Sequence, residues 1–437
     1  MSKDTIFAIA SGTSRAAIAV LRLSGPATPQ IVARMAGKLP PPRAATLAKF
    51  IDPASDETID RGLVVFFPAP RSFTGEDCAE FHIHGGRAVA ARLIAAIGAF
   101  PGARPAKPGE FTRRALLNGK MDLAEVEGLA DLIQAETEWQ RRQALRQMEG
   151  RLSRQAEDWR RSLLEAAALI EAEIDFSDEA AVPPETSRKI GEILAPVRDA
   201  LLAELAAGRV GERIREGLVI VIAGPPNAGK STLLNALARR DIAIVSPEAG
   251  TTRDAIEVHL DLDGCPVILI DTAGLRDSAD SVEAIGVARA LEKAKGADLV
   301  LWLSELAAPQ AAPESFLGLE TWPILTKSEF GKRETTQDAL AISAATGNLD
   351  LLIARLSDFA RRKTGEGFAG LITRERHRLA FQASAEALSR ILNAPEAPVE
   401  LLAEDLRAAA FALQKITGLI DVEDILGEIF SRFCIGK

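Results

Sequence analysis

The sequence predicts a multidomain fold of α/β and α parts: an N-terminal α+β domain, a helical domain in two pieces, and an α/β domain inserted between them. Three observations predict it. First, the apolar run Leu218–Ala223 meets a glycine-bearing loop, Gly224-Pro225-Pro226-Asn227-Ala228-Gly229-Lys230-Ser231, that leads into helix-like Thr232–Leu237. Second, short β-like runs end near residue 117, and a nearly glycine-free Ala/Leu/Glu/Arg texture begins at Asp122. Third, that helical texture returns after Gly365-Glu366-Gly367 and runs to the end. The expected boundaries are 1–117, 118–214, 215–364 and 365–437, the second and fourth forming one discontinuous domain.

At 437 residues the chain has room for about three domains. Hydrophobic residues make up 47%, enough for real cores, yet no apolar run reaches the ~18–20 residues of a membrane span. The N-terminus lacks the basic, apolar and small-residue pattern of a secretory leader. Cys78, Cys265 and Cys434 are odd in number and far apart, which fits a reducing, cytoplasmic setting without membrane contact. Net charge is −9, so bulk electrostatics do not favour nucleic acid. RNA contact would need a partner's surface or local clusters such as Arg113-Arg114, Arg141-Arg142 with Arg146, Arg160-Arg161 or Arg374-Arg376-Arg378, each otherwise a solvated helix face.

In the N-terminal part, residues 5–10, 17–23, 62–67 and 80–84 read as strands and residues 88–100 as a helix. Asp122 stands three residues before Glu125, the spacing of a capping box, and opens a helical stretch expected to reach residue 174. Pro183-Pro184 breaks it, and a second helix is expected over 187–207. Residues 307–313 look like a flexible loop.

The pattern G-x-x-x-x-G-K-S between strand and helix is a phosphate loop. Its glycines turn backbone N–H groups toward phosphate, and the helix N-terminus adds its positive end. Asn227, Ala228, Gly229, Lys230, Ser231 and Thr232 are therefore expected nucleotide contacts, with Lys230 on the terminal phosphates and Ser231 on Mg²⁺. Three downstream features narrow the class from kinase or ATPase to a Ras-like P-loop G domain. Gly250-Thr251-Thr252-Arg253-Asp254 precedes a strand, where a switch threonine closes over Mg²⁺. Asp263-Gly264 joins two β-like runs, 255–261 and 266–270, as a hairpin forming an antiparallel edge pair. That hairpin ends in Asp271-Thr272-Ala273-Gly274, which supplies a Mg²⁺ contact through water and an N–H that senses the γ-phosphate.

Thr326-Lys327-Ser328-Glu329 stands where a GTPase carries Asn/Thr-Lys-x-Asp, with Glu329 offering its carboxylate to guanine on a longer arm. Ser343-Ala344 follows a strand-like run and completes the base pocket by backbone. Leu275 occupies the place of the glutamine that orients water in Ras-type enzymes. Another group must take that task. Glu283, in an acidic helix-like segment, can hold a water or be a solvated carboxylate; the Asn227 amide oxygen can help bind a monovalent cation.

The chain resembles, end to end, the MnmE (TrmE) family of tRNA uridine modification GTPases. The residues that carry this are Asp4-Thr5-Ile6, residues 21–26 (Leu-Arg-Leu-Ser-Gly-Pro), 72–77 (Ser-Phe-Thr-Gly-Glu-Asp), His84-Gly85-Gly86, 108–112 (Pro-Gly-Glu-Phe-Thr), 117–120 (Leu-Asn-Gly-Lys), the G-domain motifs, and the terminal Phe433-Cys434-Ile435-Gly436-Lys437. The resemblance implies a homodimer held by N-terminal domains that look like tetrahydrofolate-binding modules. It implies a reduced folate (5-formyl- or methylene-tetrahydrofolate) held by Arg22, Glu80, Lys120 and Lys437. It implies GTP as the nucleotide and Mg²⁺ on Ser231 and Thr252. Potassium would sit on Asn227, Ser246, Glu248 (through its backbone) and Thr251. Glu283 matches the family's catalytic glutamate, beside Lys230.

With an FAD-dependent MnmG-type partner, in a heterotetramer, the family places an aminomethyl or carboxymethylaminomethyl group on carbon 5 of the tRNA wobble uridine. Three departures stand out: residues 10–17 lack the family's Gly/Pro-rich turn, Ser246 replaces Thr, and Glu329 replaces Asp. The alternatives are a ribosome-assembly-type G-protein switch with no RNA chemistry, and an ATPase permitted by Glu329. Glu80, His82 and His84 alternate on one strand face, a metal triad or, by the resemblance, one folate ligand with two bystanders. Cys434 is either a reactive thiol or a small packed residue.

Overall fold

A computed structural model describes residues 4–12, 16–176, 184–244, 256–271, 292, 294–330, 339–365, 370–418 and 436. The chain divides into two compact units, residues 1–130, 152–160 and 413–437 in one and residues 131–151 and 161–412 in the other. Among the described residues no helix is long and apolar enough to cross a membrane.

The first unit holds a six-stranded sheet. In chain order its elements are β1 (Thr5–Ile9), β2 (Ile18–Ser24), α1 (Thr28–Ala36), β3 (Thr46–Ile51), β4 (Thr58–Phe67), β5 (Cys78–His84), α2 (Arg87–Gly98), β6 (Ala103–Pro105) and α3 (Glu110–Leu117). The sheet order is β3-β4-β5-β2-β1-β6. Strands β3 and β6 are additions to the sequence reading; β6 is three residues long and β3 alternates weakly. Strand alternation sorts the faces. Leu21, Leu23, Phe81 and Ile83 face a core shared with Ile31, Met35, Leu93 and Ile97 of the helices. Arg22 pairs in register with Glu80, so the polar residues of β2 and β5 share the other face.

A buried guanidinium ties this unit together. Arg114, 6% exposed, bonds Asp4 at 2.8 Å, Glu76 at 3.0 Å and Glu110 at 3.2 Å. Arg104 adds a 2.8 Å bond to Glu110. Burial pushes the Glu110 carboxyl up, but Arg104, the Lys107 N–H and Arg114 together hold it below the usual carboxylate range.

The expected continuous helix from 122 to 174 is three helices: α4 (Leu123–Gln134), α5 (Glu138–Met148) and α6 (Arg151–Phe176). Asp122 and Glu125 exchange backbone-to-carboxylate bonds of 2.9 Å at the start of α4. Thr137 and Gln140 form a full capping box that starts α5 anew. Gly150, at φ 78°, separates α5 from α6. Both breaks were written in the sequence as Thr-x-x-Gln and a lone glycine.

The second unit continues with α7 (Pro184–Ala206), α8 (Val210–Glu216), β7 (Leu218–Ala223), α9 (Lys230–Ala238), β8 (Ala243–Ile244), β9 (Ile256–Leu262), β10 (Cys265–Asp271), β11 (Leu299–Glu305), β12 (Thr321–Thr326), β13 (Leu340–Ala341), α10 (Asp350–Thr364), α11 (Glu375–Asn393) and, up to Ala412, α12 (Val399–Thr417). Its sheet runs β13-β12-β11-β7-β10-β9-β8. All neighbours are parallel except β9, which is antiparallel to both β10 and β8. The hairpin is therefore not at the edge as expected, because β8 lies outside it. Within the stretch 307–313 the Gln310 carbonyl accepts from the Trp302 indole N–H at 2.9 Å.

Helices α7 and α11 pack antiparallel although the nucleotide-type sheet lies between them in sequence. Ser187 reaches Pro395, Gly191 lies against Leu392, and Glu204 accepts from the Leu371 N–H at 2.7 Å.

Asp263 (φ 54°) and Gly264 (φ 92°) form the two-residue turn between β9 and β10, with Asp261 and Leu262 facing Pro266 and Cys265. Two left-handed central residues mark a type I′ turn. The Gly264 carbonyl accepts from the Trp139 N–H at 3.2 Å, and a Cβ on residue 264 would lie 2.9 Å from the Trp139 ring. Gly264→Ala is thus expected to combine left-handed strain with a steric clash, costing on the order of 1–3 kcal/mol. The check is a urea melt of the full chain; an unchanged midpoint would refute the packing role of this turn.

Candidate functional site

The phosphate-type loop is shaped by where its strand ends. Strand β7 is the central strand, and Ile220, Val221, Ile222 and Ala223 are fully buried. At Gly224 (φ 148°) a Cβ would be driven into the Leu303 carbonyl oxygen of β11, so only glycine fits. The chain then turns through Asn227 (φ 62°) and Gly229 (φ 87°), both left-handed, before α9 begins at Lys230. No side chain caps α9. Its first-turn N–H groups therefore face the loop's concave side, where an anion is favoured.

Lys230 folds over the loop, its ammonium donating to the carbonyls of Gly224 and Pro225 at 2.9 Å each. Burial pulls its pKa below the ordinary lysine value, and the Asp271 carboxylate pulls in the other direction. The Ser231 hydroxyl donates to Asp271 Oδ2 at 2.7 Å. Asp271 is the last residue of β10 and fully buried. A hydroxyl and a carboxylate oxygen in contact are a donor set that suits a hard divalent cation.

Two further loops converge here from the ends of neighbouring parallel strands. The Thr326 hydroxyl lies 2.8 Å from the Ala228 carbonyl and 3.2 Å from the Ser304 carbonyl, joining the base-type loop to the phosphate-type loop. Lys327 (φ 60°) ion-pairs with Glu305 at the end of β11. Glu329 is exposed on a short turn over Ser328–Phe330. The Ser328 N–H donates to Ile342 O at 3.2 Å, and the Ser343 hydroxyl accepts from the Thr346 N–H at 3.2 Å. Asn227, Ala228, Gly229, Lys230, Ser231, Thr232, Asp271, Thr326, Lys327, Glu329, Ser343 and Ala344 thus belong to one cluster of loops at one end of the sheet. Glu305 was missed in the sequence; only its register with Thr326 across β11 and β12 reveals it. Ser246, Glu248, Thr251, Thr252, Thr272, Ala273, Gly274, Leu275, Glu283, Cys434 and Lys437 lie outside the described residues.

In the first unit the Arg22 guanidinium donates twice to Glu80 Oε1, at 3.1 and 2.8 Å. His82 Nε2 lies 3.5 Å from Glu80 Oε2, whereas His84 turns to Asp60 at 2.8 Å. The three share a face but do not converge, and no metal-ligand cluster exists among the described residues. Arg22 and Glu80 line one cavity of about 390 Å³. Lys120 is exposed beside Gly75 and does not line that cavity. Gly436 (φ 110°) sits so tightly on the Ile9 carbonyl that a side chain would not fit. That brings the C-terminal end to β1, where Ile9 pairs with Leu21, the neighbour of Arg22.

Several basic candidates for RNA contact are already engaged. Arg114 is buried among carboxylates, Arg141 and Arg142 share Glu138, and Arg160 pairs with Glu157. Arg374 bonds Asp131 at 2.6 Å, and Arg378 bonds Glu375 at 2.9 Å.

Comparison with known proteins covers nearly the whole chain. Residues 5–120 match the family described as the GTP-binding protein TrmE N-terminus, and residues 123–434 match the MnmE helical domain. A protein of Beijerinckia indica named tRNA modification GTPase MnmE is 64% identical over 99% of this chain and 96% of its own. Proteins of the same name from a Methylobacterium species and from Rhodopseudomonas palustris are 54% and 52% identical, each over at least 99% of both chains.

Lys230 generates a pH signature. Its ammonium is partly desolvated and leans on two carbonyls, whereas bound phosphates stabilise the charged form and raise its pKa. Triphosphate binding should therefore take up protons at alkaline pH below the ordinary value of 10.5, and affinity should fall as pH rises through the lowered pKa. Calorimetry in two buffers of different ionisation heat reads this uptake; none across that range would contradict the assignment.

Proposed function

The chain belongs to the MnmE family of tRNA modification GTPases, and from that premise we propose that it is a potassium-stimulated GTP hydrolase that, with a flavoprotein partner of the MnmG type, adds an aminomethyl or carboxymethylaminomethyl group to carbon 5 of the tRNA wobble uridine. The observation that carries the hydrolase reading is the loop cluster in which Lys230, the Ser231–Asp271 pair and the Thr326 bridge meet around one concave loop.

Lys230 leaves the Gly224 and Pro225 carbonyls to meet the terminal phosphates. Ser231 and Thr252 would hold Mg²⁺, with the Asp271 carboxylate beside Ser231 as a further oxygen donor. The chemistry the ion would supply there is neutralisation of the triphosphate's charge. Thr272, Ala273 and Gly274 line the γ-phosphate by backbone. Asn227, Ser246, the Glu248 backbone and Thr251 would hold potassium, which would supply the positive charge that an arginine finger brings elsewhere. Glu283 holds the attacking water, a task Leu275 cannot perform. Glu329 accepts the guanine N–H donors, with Thr326, Lys327, Ser343 and Ala344 around the base.

In the N-terminal module Arg22, Glu80, Lys120 and Lys437 hold a reduced folate that supplies the one-carbon unit. Helical segments 118–214 and 365–437 form one domain that carries the G domain, 215–364, as an insertion. Supporting this is the antiparallel contact of α7 with α11. Residues 1–117 pair two copies into a homodimer, and the assembly works in the cytoplasm.

GTP turnover measured in potassium against sodium tests the reading directly. The native chain should turn over faster in potassium, and Asn227→Ala should lose that ratio while keeping GDP affinity. Equal stimulation in variant and native chain would remove Asn227 from the cation site. Glu283→Ala should cut turnover by about 10²-fold with GTP affinity nearly intact, the scale of losing one group that acts on the reacting atoms. Wobble-uridine analysis of tRNA from a deletion strain completes the test; unchanged modification would leave only a G-protein switch.

A further inference from the structure

The cavity holding Arg22 and Glu80 carries more positive charge than those two residues require. It is also lined by Arg43 and Arg71, with Phe67 and Phe73 as walls. Arg22 is answered by Glu80 at 2.8 Å. Arg43 and Arg71 make no ion pair among the described residues. Three arginines against one carboxylate leave two positive charges in excess in the lining. The Arg43 guanidinium donates to the Arg71 backbone carbonyl and lies 5.8 Å from the centre of the Phe67 ring.

Residue 43 is also built into place. Its φ is 59°, a left-handed conformation that costs energy for any side chain but glycine. It is held there by its N–H donating to Phe66 O at 2.7 Å. The cavity has a direction. Phe67 pairs with Cys78, the first residue of β5, two positions before Glu80. The unpaired arginines therefore stand at the strand end, and the neutralised Arg22–Glu80 pair stands further along the sheet.

A cavity of about 390 Å³ with aromatic walls, one satisfied ion pair and two guanidinium groups with no carboxylate partner among the described residues suits a ring with an anionic tail. Guanidinium matches carboxylate in a two-bond fork. We propose that Arg43 and Arg71 form a subsite for the carboxylates of the ligand tail, so that the cavity prefers a folate extended by further glutamates. The ring end lies at Arg22 and Glu80, and the tail passes Arg43 and Arg71. This rests on the folate reading given above.

The test compares binding of 5-formyl-tetrahydrofolate as monoglutamate and as triglutamate to the full chain, by calorimetry at two salt concentrations. The native chain should favour the triglutamate by about tenfold or more, the scale of one charge-assisted hydrogen bond. The preference should shrink as salt rises. In the Arg43→Ala/Arg71→Ala double variant the two forms should bind alike, with potassium-stimulated GTP turnover retained as proof of folding. Glu80→Gln should weaken both forms and leave their ratio intact. Equal binding of the two forms by the native chain, or a ratio kept by the double variant, would overturn the tail subsite. So would a preference abolished by millimolar inorganic phosphate, since that marks a site for any anion. Native chain that binds neither form overturns the folate reading itself.

Discussion

The Leu303 carbonyl occupies the space a side chain on residue 224 would need. Strand β7 is hemmed on both sides by parallel strands, β10 and β11, and cannot shift to make room. Glycine there lets the backbone turn back over the strand ends, and the left-handed residues 227 and 229 complete the turn before α9 starts. Because the loop sits where it does, Ser231 meets Asp271 from β10 and the Ala228 carbonyl meets Thr326 from β12. Three loops, from the parallel strands β10, β7 and β12, are thereby registered to each other. This is the place where open parallel sheets bind ligands, outside the carboxyl ends of their strands.

The two units treat charge differently. In the first, Arg104 and Arg114 are surrounded by Asp4, Glu76 and Glu110, and each carboxylate accepts from more than one group. Removing the buried Arg114 from this set leaves its carboxylate partners uncompensated, which costs more than the pair itself contributes. Along the surface helices the pattern is local: Glu138 is partly exposed, and Arg141 and Arg142 bring its carboxyl down to about 2. Exposed pairs of that kind add little to stability. They do explain why arginine clusters in the sequence are poor guides to an RNA surface here.

Legibility followed how local the determining signal was. The phosphate-type loop and the Asp263-Gly264 turn are set by residues within a few positions, and both were readable. Arg22 facing Glu80 was not readable by spacing, because 58 residues separate them; the family motif pointed to both, and β2–β5 register explains why they meet. The breaks at Thr137 and Gly150 were readable but outvoted by the Ala/Leu/Glu/Arg texture around them. Strand β8, two residues long, carries too little pattern to be seen alone. Glu305 and Arg43 act through neighbours in space, and a one-dimensional pattern has no means of showing that.

The pairing of α7 with α11 has a consequence for how the chain comes together. Ser187 and Pro395 are 208 residues apart. Closing a flexible loop of that length costs about 5 kcal/mol in chain entropy beyond a constant, more than one helix contact returns. If residues 218–341 first collapse into their sheet, the tether between the helices becomes short and stiff, and most of that cost is met before they touch. A defect in the sheet would then raise the entropic cost of closing the helical pair over it.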